Sequence, residues 1–145
     1  MADSPVLFFY QEVRFNFPQR TILKKFIEKL FRNEKLRLQQ INIIFCTDDA
    51  LLEINKGFLQ HDYYTDIITF PLSGKGEPVT AELYISIDRV RENAKAVGSS
   101  FLSELHRVIF HGCLHLTGYN DKSSQQIKKM REREDHYLRL YAKAK

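Results

Sequence analysis

Two histidines, a glycine and an aspartate make the most chemically capable stretch of this chain, His111-Gly-Cys-Leu-His115-Leu-Thr-Gly118-Tyr-Asn-Asp121. An α-helix turns once in roughly 3.6 residues, so side chains four apart share a face. His111 and His115 therefore project together. Gly118 can end the helix in the left-handed conformation that glycine adopts at no steric cost. The chain can then fold back and bring Asp121 toward the two rings. Two imidazoles and one carboxylate are ligands for a single transition-metal ion, with one coordination position left for water. That arrangement points to hydrolysis.

The same helix supports the reading. Glu104, Val108, His111 and His115 form one stripe, while Leu105, Ile109, Gly112 and Leu116 form a neighbouring apolar stripe. The histidines thus border the core, where rings can be held rigid yet reach a cleft. Cys113 lies about 200° around the axis from His111 and is excluded as a ligand. Zinc is the default ion, because it hydrolyses without redox chemistry; nickel or another divalent metal suits the same donors. A water on such an ion has its pKa lowered toward about 7. The spacing overlaps that of metzincin proteases, in which a glutamate beside the first histidine is the general base. Here that position is Gly112, which cannot take a proton, and this argues against a peptidase.

The elements that must position these residues are legible in outline. Val6-Leu-Phe-Phe-Tyr10 reads as a first strand. Pro18 is expected to open a helix whose Ile22, Leu23, Phe26, Ile27, Leu30 and Phe31 recur at helical spacing. Residues 41–46 read as a second strand. Thr47-Asp-Asp49 caps a short helix that Gly57 is expected to end. Residues 66–70 form a third strand closed by Pro71, and residues 80–87 a fourth, with a turn at 73–78 between them. Asp88 is expected to cap a helix stopped by Gly98. Ser100 or Ser103 starts the histidine-bearing helix, and Ser123 with Gln126 forms a capping box for a basic C-terminal helix. The expected class is α+β: one domain over residues 1–145, with a small mixed four-stranded sheet covered by five to six helices.

Composition bounds the function. With 145 residues and 43% hydrophobic side chains, the chain can bury a core and is not disordered. No apolar run approaches the ~20 residues needed to span a bilayer, and the first residues lack the pattern of a secretory signal. Cys46 and Cys113 sit in apolar runs and read as buried free thiols, consistent with a cytoplasmic setting and no membrane. His106 and His136 are expected to be solvent-exposed and without a role. The net charge is +4. Seven basic residues between Arg20 and Arg37, against two acidic ones, make either a solvated helix face or a phosphate-binding ridge.

Three segments, in order, resemble one family. His111-Gly-x-Leu-His115-Leu-x-Gly118-Tyr119 is similar to the His-Gly-x-Leu-His-Leu-x-Gly-Tyr-Asp-His signature of the YbeY family. Thr65-Asp66-Ile-Ile-Thr-Phe70-Pro71, preceded by Asn55, resembles that family's Asn…Thr-Asp-Val-Leu-Ser-Phe-Pro; Ala81-Glu82-Leu-Tyr-Ile85-Ser86 resembles its Gly-Asp-Ile-x-Ile-Ser. The resemblance covers essentially the whole domain. It implies a metal-dependent endoribonuclease that cleaves single-stranded RNA and acts in ribosomal RNA maturation and ribosome quality control, with ribosomal RNA or the small ribosomal subunit as partner. It implies metal ligation by His111, His115 and Asp121, the last in place of a family histidine. Asp66 and Tyr119 take catalytic or orienting roles on this reading, the alternatives being a strand-entry cap for Asp66 and packing for Tyr119. Lys24, Lys25, Lys29 and Lys56 would contact RNA phosphates. His61 lies in the loop near the cleft. Leu59 stands where the family carries an arginine, so Lys56 or another basic residue replaces it, or cleavage is weakened or lost. The alternative is thus a ribosome- or RNA-associated binding module with a retained metal site; a peptidase or small-molecule hydrolase is a third reading.

Overall fold

The most buried strands take the centre of the sheet. The structure, a computed structural model, describes residues 4–59 and 65–145. Strands β1 (Val6–Tyr10), β2 (Leu38–Cys46), β3 (Ile67–Pro71) and β4 (Val79–Ser86) form one sheet in the order β1-β2-β4-β3. The β1–β2 and β2–β4 pairs are parallel and β3–β4 is antiparallel. Strand β2 buries Ile41, Ile43, Ile44, Phe45 and Cys46, as expected of a parallel strand covered on both faces. Pro71 ends β3, an edge strand, where its missing N–H costs no ladder bond.

Helices α1 (Arg20–Asn33), α2 (Asp48–Ile54), α3 (Ile87–Val97), α4 (Phe101–Leu116) and α5 (Ser124–Ala144) complete the α+β fold. Helix α1 buries Leu23, Phe26, Ile27, Leu30 and Phe31, five of the six residues in the expected stripe; Ile22 is half-buried. The main core joins these to Leu83 and Ile85 of β4, to Leu105, Ile109, Phe110 and Leu114 of α4, and to Met130, Tyr137 and Tyr141 of α5. A smaller cluster on other strand positions packs Leu51 of α2 against Cys46 and Ile68. Among the described residues, no helix is long and apolar enough to cross a membrane.

Several boundaries differ from expectation: strand β2 starts at Leu38 rather than at residue 41. Helix α1 begins after Gln19, whose φ of 60° makes a left-handed turn between Pro18 and the helix. Gly57 does not stop α2; the chain continues into a π-helical turn over Asn55–Leu59, which contains it. The cap of α3 is Ser86, whose hydroxyl accepts from the Arg89 N–H at 3.1 Å. Strand β4 therefore ends before Ile87, and Asp88 accepts instead from the Asp48 N–H at 2.9 Å. Gly98 (φ 71°), Ser100 and the Ser123–Gln126 capping box act as the sequence indicates.

Gly112 explains how α4 reaches the sheet. A Cβ there would lie 2.7 Å from Ile67 Cδ1 and 3.0 Å from Leu83 Cδ1. The missing side chain lets the helix settle onto β3 and β4, which brings the His111 side of the helix beside β3.

The expectation of exposure fails for His106 and, in part, for His136. His136 is half-buried beside Tyr137. His106 is only 6% exposed and packs among Phe17, Phe110 and Tyr141, its ring 4.9 Å from that of Tyr141. Burial, helped by the Lys145 charge, pushes its pKa down to about 4. An unfolded histidine titrates near ~6.5. Between those values the unfolded chain holds the extra proton, so stability present at neutral pH is lost as pH falls from about 6.5 to about 4, by up to about 3 kcal/mol. Urea unfolding at stepped pH should show that slope in the wild type and a flatter one in His106→Phe; equal slopes would assign the loss to other groups.

Candidate metal centre

The centre is built at the C-terminal end of one helix. Helix α4 stops in a paired-hydrogen-bond turn: the Tyr119 N–H donates to the Leu114 carbonyl and the Gly118 N–H to that of His115, each at 3.1 Å. Gly118 supplies the left-handed residue, with φ 111°. This turn reverses the chain and returns Asp121 to the two rings. His111 Nε2 and His115 Nε2 are 3.0 Å apart. Asp121 Oδ2 lies 3.4 Å from the first and 3.3 Å from the second.

The donor set fits a metal ion in two ways. Ligands about 2.0–2.1 Å from a tetrahedral ion stand about 3.3 Å from one another, close to the three separations here. The outer ring nitrogens are also committed. His115 Nδ1 is 2.9 Å from the Tyr119 carbonyl, which can only accept, so that nitrogen carries the proton. His111 Nδ1 is 2.6 Å from Glu134 Oε2. In their neutral forms both rings then present bare Nε2 lone pairs to each other and to a carboxylate, an arrangement that a shared cation stabilises. Partners of this kind fix the tautomer and orientation of metal-binding histidines.

Glu134 is the residue of the candidate site that motif spacing misses. It is 4% exposed, and its Oε1 accepts from Arg107 Nη1 at 2.9 Å, with Arg131 Nη1 at 3.4 Å. Arg107 also bridges Asp135 at 2.6 Å. Burial alone would lower the His111 pKa, but the hydrogen bond and charge of Glu134 outweigh it and raise the value. A signal was present in the chain: Glu134 sits in the buried Met130, Tyr137, Tyr141 stripe of α5, and an acid on a buried face needs a partner.

The three candidate ligand residues line an open cleft of about 490 Å³, with Asn55, Thr65, Asp66, Thr69 and Pro71 on its other wall. A second lobe of about 330 Å³ continues past His111 and Asp121 toward Glu104, Arg107 and Arg131. Asp66 lines both lobes. Its carbonyl accepts from the Ser86 N–H at 2.9 Å, tying the entry of β3, while its carboxylate accepts from Asn93 Nδ2 at 3.4 Å. Burial raises its pKa, against the lowering effect of His111.

Other sequence-derived residues fall elsewhere. The Tyr119 hydroxyl donates to Glu34 Oε1 at 3.0 Å, and Tyr119 is not among the described residues lining the cleft. Lys25 and Lys29 are exposed on α1, and the Lys24 ammonium lies 5.6 Å above the Phe8 ring. Lys56 is exposed in the π-helical turn, which Leu59 ends. None of these lysines is among the cleft-lining residues described. His61 lies outside the described residues. Cys46 and Cys113 are buried free thiols, pushed up by burial to about 11 and about 12.

Comparison with known proteins places this architecture. Residues 10–142 match the family model described as endoribonuclease YbeY. The chain belongs to the endoribonuclease YbeY family. An endoribonuclease YbeY of Cytophaga hutchinsonii is 41% identical over 140 residues, covering 97% of this chain and 98% of the relative. One from Bacteroides thetaiotaomicron is 48% identical over 104 residues, 72% of this chain and 75% of its own. A solution structure of a Thermotoga maritima protein superposes with a TM-score of 0.65 at 27% identity, covering 94% of this chain and 88% of that one. The family's description names a hydrolase that cuts within RNA, and this YbeY member has a donor set suited to metal-assisted hydrolysis.

Proposed function

We propose that this chain is a metal-dependent endoribonuclease of the cytoplasm that cleaves single-stranded RNA during ribosomal RNA maturation, with ribosomal RNA or the small subunit as its partner. The observation that carries the reading is the convergence of His111, His115 and Asp121 with both outer ring nitrogens already committed. His111, His115 and Asp121 would hold one divalent ion, zinc first among the candidates and nickel next. When bound, the ion supplies Lewis-acid chemistry, polarising a phosphoryl oxygen and making water a usable nucleophile near neutral pH. Glu134 and the Tyr119 carbonyl hold the rings in register. Asp66, which lines both lobes, would accept a hydrogen bond from water or from the RNA in the cleft. Lys24, Lys25, Lys29 and Lys56 serve as phosphate contacts outside the cleft, where each neutralised phosphate adds salt dependence. Tyr119 acts by orienting His115 rather than by touching RNA.

The test is an assay of labelled single-stranded RNA beside its duplex, with the metal content of the same preparation measured. Wild-type protein should carry one ion and cut the single strand; a chelator should stop cleavage, and added zinc or nickel should restore it. Asp121→Ala should lose the ion. Tight binding without cleavage would favour the binding-module reading suggested by Leu59. Digestion of casein instead of RNA would overturn the nuclease.

A further inference from the structure

The carboxylate of Glu34 stands at the C-terminal cap of α1, far in sequence from the metal centre. Its Oε1 accepts from the Tyr119 hydroxyl at 3.0 Å. Its Oε2 accepts from Arg133 Nη2 at 2.9 Å and from the Tyr137 hydroxyl. Three donors converge on one side chain that is only 12% exposed. Burial would raise its pKa, but hydrogen bonds from Tyr137, Arg133 and Tyr119 hold it below the usual carboxylate range, so it is ionised at neutral pH.

Each donor leads to a ligand histidine. Tyr119 is clamped at both ends, its N–H on the Leu114 carbonyl and its hydroxyl on Glu34. Between these anchors lies the Tyr119 carbonyl that accepts from His115 Nδ1. Residues 117–122 have no regular secondary structure, so a backbone carbonyl there is only as fixed as its neighbours make it. Asp121 belongs to the same segment. The other two donors, Arg133 and Tyr137, lie on α5 on either side of Glu134, the partner of His111. One carboxylate thus ties down the groups that orient both imidazoles.

We propose that Glu34 is a positioning residue for the metal centre, acting through Tyr119 on His115 and through Arg133 and Tyr137 on the Glu134–His111 pair. The inference rests on the metal-site reading given above. Loss of a group bonded directly to a ligand histidine costs roughly 10- to 100-fold in metal affinity, and Glu34, one bond further out, is expected at the lower end of that range.

The test measures the ion and not turnover. Zinc dissociation constants come from competition with a chromophoric chelator, and the visible spectrum of the cobalt-substituted protein reports ligand geometry. Four variants are compared: Glu34→Gln, Glu34→Ala, Glu34→Asp and Tyr119→Phe, the last keeping the backbone carbonyl while deleting only the hydroxyl. Wild type should bind one ion. Glu34→Ala and Tyr119→Phe should each weaken zinc binding by about 10-fold or more and shift the cobalt bands, with far-ultraviolet circular dichroism unchanged. Glu34→Asp should restore part of both. A lowered melting temperature with unchanged zinc affinity and cobalt spectrum would make Glu34 a structural tie and overturn the inference. If Glu34→Ala does not fold, Glu34→Gln and Tyr119→Phe decide it by the same readouts. Failure of wild-type protein to bind either ion would overturn the metal reading itself, and this inference with it.

Discussion

His115→Ala should abolish RNA cleavage while leaving the fold in place. On the proposed metal reading the imidazole supplies one of three ligand atoms, its Nε2 lying 3.0 Å from His111 Nε2 and 3.3 Å from Asp121 Oδ2. Two remaining ligands cannot hold the ion in the geometry that polarises a phosphoryl oxygen. That Lewis-acid contribution amounts to several kcal/mol, so turnover should fall about 10³-fold or more. The His115 side chain is 26% exposed at a helix end, and its removal opens no cavity in the main core. Circular dichroism should therefore match wild type, and elemental analysis should show the ion lost. Cleavage that survives this substitution at full rate would place the chemistry elsewhere or in a contaminant.

Gly112→Glu should unfold the protein or come close to it. The substitution would install the residue that a metzincin carries beside its first histidine. In this fold that position faces the sheet. The new Cβ alone would stand 2.7 Å from Ile67 Cδ1 and 3.0 Å from Leu83 Cδ1, and the carboxylate would follow it into apolar side chains. Overpacking costs about 1–3 kcal/mol, and burial of an unpaired polar or charged group adds several more. A loss above about 4 kcal/mol is expected in urea unfolding. Gly112→Ala is the mild control: the gain of up to about 1 kcal/mol in helix propensity opposes a clash with side-chain tips that can shift. Wild-type stability in Gly112→Glu would mean that α4 does not need its close approach to β3 and β4.

These two expectations show which parts of the molecule local sequence can reveal. Helix caps, apolar stripes and the glycine stop are decided within one or two turns of chain, so Ser100, Ser123, Gly98, Gly118 and the β1 boundaries were readable. The His111, His115, Asp121 set was readable for the same reason, since one helix end supplies all three. Gly112 was legible as the absence of a general base, whereas its close packing on Ile67 and Leu83 depends on residues far along the chain. Glu134 and Glu34 act across sequence separations that no spacing rule covers: Glu134 meets His111 from 23 residues away, and Glu34 meets Tyr119 from 85. His106 escaped because its stripe on α4 becomes interior only once Phe17 and Tyr141 pack beside it. Lys24, Lys25 and Lys29 follow from the charge pattern and Lys56 from the leucine at the family's arginine position, and none of them is among the described residues lining the cleft.

The course of α5 has a consequence for the chain as it is made. Synthesis runs from the amino end, so the three proposed metal-binding side chains are joined before Glu134, Arg133 and Tyr137 exist. A nascent or prematurely terminated product that stops before α5 has every atom needed to touch the ion and almost none of the scaffolding that aims His111. If the proposed centre holds the ion, competence to cut RNA would arrive late, with the docking of the last helix, and a chain broken off before α5 would carry a poorly oriented His111.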